Sequence, residues 1–224
     1  MYHGERFNSI SHLLGVLAAI AGLVVLLLDA VASSDGWKVV SSAIYGATLV
    51  LLYGASTLYH SVRGAAKAWL QRFDHHAIYL LIAGSYTPFT LVSLRGTLGW
   101  TLFGLIWGLA LIGMIIDSLP NRGRRLIPLA IYAIMGWLCL VAVKPLYASL
   151  SPAGFGWLLA GGLLYTGGIV FFVLDEGRRL NDEWRAELER RRSAFSLSQL
   201  VRREARPRRI GAAELQQRLS PTLR

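Results

Sequence analysis

Ser56 and His60 stand four residues apart near the end of a long apolar run, and a thirteen-residue connection separates them from Asp74, His75 and His76. A spacing of four puts Ser56 and His60 on one face of a helix, one turn apart. Upstream, Glu5, Asn8 and His12 are spaced i, i+3, i+7 and share a helical stripe in the same way. An imidazole with a hydroxyl or carboxylate nearby suits metal ligation, because a metal-bound histidine needs a partner on its other ring nitrogen and Ser or Asp can supply it. The competing reading is that polar residues at the ends of apolar helices simply meet water. That reading suits His3, His75 and His76 better than His60 and Asp74.

The elements that must position these residues are membrane spans. The chain has 224 residues, of which 54% are hydrophobic, too apolar for an ordinary soluble domain. Six stretches are free of charge: Leu13 to Leu28 (extending back to about Ile10), Val39 to Tyr59, Ala77 to Leu94, Gly96 to Ile116, Leu126 to Val143 and Leu146 to Leu174. The last is expected to begin helically near Phe155, because Ser151-Pro152 reads as a turn. A helix needs roughly 20 apolar residues to cross a ~30 Å hydrocarbon layer. The runs are too long for barrel strands and lack period-2 alternation. The expected fold is an all-α integral membrane protein of six transmembrane helices. The first run has Glu5 ahead of it and no small-residue cleavage site, so it reads as a span and not a signal peptide. The single cysteine, Cys139, reads as a packing thiol inside the fifth run.

Charge sets the expected orientation. Arg63, Lys67 and Arg72 lie between runs two and three, and Arg122, Arg124 and Arg125 between runs four and five. The segment after run six holds thirteen arginines against eight acids. The other three connections carry only Lys38, Arg95 and Lys144. The positive-inside rule then places the N-terminus, both basic connections and the tail in the cytoplasm. All five histidines fall at or near that inner level, with Glu5, Asn8, Ser56 and Asp74.

Residues 1–176 read as the six-span domain and 177–224 as a basic tail. The tail is rich in helix formers, Glu187 and Arg191 form an i, i+4 pair, and Trp184, Leu188 and Phe195 fall near one face. It reads either as a helix along the anionic inner leaflet or as a solvated tail. Nucleic-acid binding is not expected, because topology already accounts for the basic excess. The glycines of "GWTLFGLIWGLALIG" suit close helix contact.

Three motifs in order, "GERFNSISH" (E-x-x-N-x-x-S-H), "STLYH" (S-x-x-x-H) and "FDHHAIYLLIAGSYTPF", resemble the hemolysin III branch of the progestin and adipoQ receptor family over about residues 1–176. "YTGGIVFFVLDE" is similar to the family's sixth helix. The resemblance implies a seven-helix membrane bundle, distantly similar to alkaline ceramidases, in the bacterial plasma membrane. It implies a zinc ion near the inner ends of the helices, with His60 as a ligand, Asp74 holding the zinc-bound water and Ser56 supporting them. The family's other two ligands come from an H-x-x-x-H motif opening its seventh helix. This chain departs there, since no histidine follows His76 and no seventh apolar run exists.

Catalytic zinc takes three protein ligands and an open position, so the expected zinc site is incomplete. Three function classes follow: a membrane-state regulator or cytolysin-like protein, a zinc-dependent hydrolase of lipid amides, and an oligomeric pore former. Membrane lipids are the expected partners.

Overall fold

The computed structural model describes residues 4–119 and 126–204. His3, Arg122, Arg124 and Arg125 lie outside the described residues, as does the chain beyond Glu204. Contacts group the chain into two compact units, residues 1–169 and 170–224.

Every described element is helical: α1 (Arg6–Ala32), α2 (Gly36–Ser61), α3 (Ala65–Pro88) continued by a π-helical segment (Phe89–Ser93), α4 (Thr97–Ser118), α5 (Leu126–Trp137), a 3-10 segment (Leu138–Ala142), α6 (Val143–Ser149) and α7 (Pro152–Glu204). Among the described residues, five stretches are long and apolar enough to cross a bilayer: α1, α2, α4, Ile127–Ser149 and Pro152–Asp175. The third expected span is shared between two elements. Its uncharged run, 77–94, is filled by the second half of α3 and the π-helical segment, but the first three turns carry Lys67, Arg72, Asp74, His75 and His76. Burial compensates, because Tyr79, Ala83 and Thr87 are wholly enclosed.

Two spans are irregular, and each irregularity has a chemical cause. Pro88 has no N–H to continue the ladder of α3. Beyond it the Leu94 N–H donates to the Phe89 carbonyl at 2.8 Å, five residues back, as in a π-helix. Thr90 Oγ1 donates to the carbonyls of Tyr86 and Thr87, each at 3.1 Å, and so serves carbonyls near the irregularity. The fifth span breaks at Leu138–Ala142, where the Tyr86 hydroxyl from α3 enters the gap. It donates to the Gly136 carbonyl and accepts the Cys139 N–H, both at 2.9 Å. Inserted side chains of this kind break helices, and in a membrane such backbone survives only where protein satisfies it.

The fifth span resumes as α6 and runs to Ser149, so Lys144 lies within helix and not in a connection. Pro145 falls in the first turn of α6, where a missing N–H is harmless. The sixth span starts at Pro152, three residues before the expected Phe155, because proline suits a first helical position.

Close packing rests on small residues. A Cβ on Gly46 of α2 would collide with Leu23 of α1, and one on Gly84 of α3 with Thr48 of α2. Tyr79, Ile82, Ala83, Ile106, Ala110 and Met135 form the core of α3, α4 and α5. Large apolar side chains point outward elsewhere, among them Leu14, Leu28, Ile115 and Trp157, as hydrocarbon surroundings require.

Candidate functional site

The polar residues of the first three helices meet where α1 and α3 begin and α2 ends. Glu5 is the N-cap of α1, His60 lies in the last turn of α2 and Lys67 in the first turn of α3. One Glu5 oxygen, Oε2, lies 2.5 Å from His60 Nδ1, and the other, Oε1, accepts from Lys67 Nζ at 2.8 Å. The Lys67 ammonium also lies 4.9 Å from the centre of the Tyr59 ring, a cation–π distance. Ser9 is fully buried and donates to the His60 carbonyl at 2.8 Å, fixing the end of α2 against α1.

The Lys67 ammonium, hydrogen-bonded to Glu5, and His60 beside it hold the Glu5 carboxyl at about 2, below its ordinary 4.5. The contact to His60 Nδ1 is therefore made by a carboxylate, which accepts only. Nδ1 therefore carries the proton of this contact.

His12 stacks on His60, with ring centroids 5.5 Å apart and planes within 4° of parallel. A ring-nitrogen lone pair lies in the plane of its ring. Parallel rings direct both lone pairs at one ion only when they are also coplanar.

The residues named from the sequence divide as follows. Glu5, His12 and His60 are brought together. Ser56 is buried one turn before His60, and Asp74 is half-buried on α3, but the group at His60 Nδ1 is Glu5 and not either of them. Asn8 is half-buried on α1, and its carbonyl accepts from Ser11 Oγ at 3.0 Å. His75 and His76 serve a different contact, with α4: His75 Nδ1 is 3.5 Å from Asp117 Oδ2 and His76 Nε2 is 3.1 Å from Ser118 Oγ. Lys67 was read only as a topology charge. It precedes Asp74 by seven residues, a spacing that puts both on one stripe of α3 and was the signal available.

A zinc ion fits this donor set poorly. Among the described residues no three His, Cys, Asp or Glu side chains are gathered as a metal would need. Both Glu5 oxygens are engaged.

A second feature is apolar. A cavity of about 650 Å³ lies among α2, α3 with its π-helical segment, the broken fifth span and the first turns of α7. Tyr45, Leu49, Phe89, Cys139, Leu158 and Gly162 are among its walls. Both irregular segments border it. The Tyr86 and Tyr165 hydroxyls, also at its walls, are spent on the carbonyls of Gly136 and Tyr132.

In the second unit Trp184 and Leu188 are exposed, and Arg191 Nε donates to Glu187 Oε1 at 2.9 Å, the pair expected from their spacing. The Phe195 side chain is outside the described residues.

Comparison with known proteins follows the same division. The family model described as "Haemolysin-III related" matches residues 1–184. A model for a protein of unknown function, named as a candidate endonuclease, matches only residues 169–224. The chain is 47% identical over 170 residues to the hemolysin-3 homolog of Bacillus subtilis (strain 168), covering 75% of this chain and 80% of that one. It is 44% identical over 173 residues to hemolysin-3 of Bacillus cereus, covering 77% and 79%. It is 30% identical over 175 residues to the human monocyte to macrophage differentiation factor, covering 75% and 71%. No solved structure matches the chain.

Proposed function

We propose, from the premise that this chain belongs to the haemolysin-III-related family of multi-pass membrane proteins, that it is a regulator of membrane state working through a bound lipid chain. The observation that carries this reading is the apolar cavity of about 650 Å³ bordered by two irregular spans. The recess is open on one side, and its mostly apolar walls do not attract water. In a bilayer the available filler is hydrocarbon. The irregular segments can respond to what fills the cavity, because their hydrogen bonds run through the side chains of Tyr86 and Thr90 and not through an unbroken ladder.

In this reading the protein sits in the bacterial plasma membrane with its N-terminus and basic tail in the cytoplasm, as the positive loops direct. The tail's exposed Trp184 and Leu188, with arginines alongside, suit contact with anionic headgroups of the inner leaflet. Two relatives carry the name hemolysin, so membrane damage at high expression is a second outcome of the same lipid-facing surface. Metal-activated hydrolysis suits the His60 site poorly, because both oxygens of the neighbouring Glu5 carboxylate are already engaged.

The test is lipid retention by the full-length protein in detergent, read by native mass spectrometry. Gly162 lines the cavity and a Cβ there meets nothing within 4 Å, so Gly162→Phe fills the space. The wild type should retain lipid through detergent exchange, and Gly162→Phe should retain several-fold less at an unchanged fold. Equal retention by both proteins, or none by the wild type, rejects the reading.

A further inference from the structure

We infer that the cation completing the polar site at the start of α1 is the ammonium of Lys67, and that no metal ion is needed there. The site is independent of the cavity and of any lipid in it.

One carboxylate faces two partners from two other helices. Glu5 supplies one carboxylate, whose two oxygens meet His60 Nδ1 at 2.5 Å and Lys67 Nζ at 2.8 Å. The carboxylate belongs to the residue at the positive end of α1, and the ammonium lies over the face of Tyr59.

A divalent ion would have to take Glu5 from Lys67 and then stand beside an ammonium, where like charges repel. The role left to the cluster is to tie α1, α2 and α3 together at one level, with Ser9 and the His60 carbonyl as a second tie at 2.8 Å. Glu5 acts as a positioning residue. It holds a proton on His60 Nδ1.

The experiment uses the full-length protein in detergent. Melting temperature is measured with and without EDTA, then with micromolar zinc, and metal content is read by elemental analysis. Wild type should carry well under one zinc per chain and melt at the same temperature in all three conditions. Lys67→Met should melt several degrees lower, and Lys67→Arg, which keeps the charge, should recover most of the loss. Added zinc should raise the melting temperature of Lys67→Met and not that of wild type, because binding stabilises only where a place is vacant. Nitrogen-15 chemical shifts of His60 should report the Nδ1–H tautomer in wild type and a mixture in Glu5→Gln. One zinc per wild-type chain whose removal lowers the melting temperature would overturn the inference. So would a Lys67→Met protein as stable as wild type. Should Lys67→Met fail to fold, the chelation result and Lys67→Arg decide alone.

Discussion

Glu5 carries more than its position at the end of a helix suggests, since one carboxylate serves two other helices at 2.5 and 2.8 Å. Its pKa is lowered from 4.5 to about 2, so its contribution to stability is full above pH 4.5 and fades as pH falls toward 2. The melting temperature of the wild type should accordingly drop between pH 5 and pH 3. Glu5→Gln should be less stable at pH 7 by roughly 1–2 kcal/mol, the scale of a charged hydrogen bond. It should also lose that part of the acid dependence. Parallel pH profiles for the two proteins would mean that the carboxylate is not what holds the three helices.

At the scale of the element, the fifth span depends on a side chain from the third. Tyr86→Phe removes the hydroxyl that joins the Gly136 carbonyl to the Cys139 N–H, leaving both without that partner at 2.9 Å. A buried polar group left unpaired costs about 1–3 kcal/mol. The variant should melt lower, and the Cys139 amide should exchange its hydrogen faster while amides of α1 keep their rates. No change at Cys139 would show that the gap is closed some other way. The same contact marks where reading from sequence stops. Long runs without charge were legible as spans, because each residue's preference for hydrocarbon is its own property. Cys139 was placed inside an unbroken fifth run, since nothing near it in sequence signals a break. The cause, Tyr86, lies 53 residues away. The site divides in the same manner. Spacing put Ser56 beside His60 on one helix face, but the group that reaches His60 comes from α1, and no periodicity within α2 could name it.

For the whole molecule, the strongest expectation concerns the two sides of the membrane. Six spans would leave both chain ends on one side, and the positive-inside rule is expected to put that side in the cytoplasm. An alkaline phosphatase fused after Arg224 should therefore be inactive, and a fusion in the short connection after α2 inactive as well. Activity after Arg224 would demand another crossing or the opposite orientation. The third span bears on how such a molecule is made. The third helix opens with polar turns, and Tyr79 beyond them is enclosed in a core that includes Ile106 and Ala110 of α4. A chain cut after Ser93 lacks those side chains, so its third helix is expected to pack less stably than that of a chain reaching Ser118.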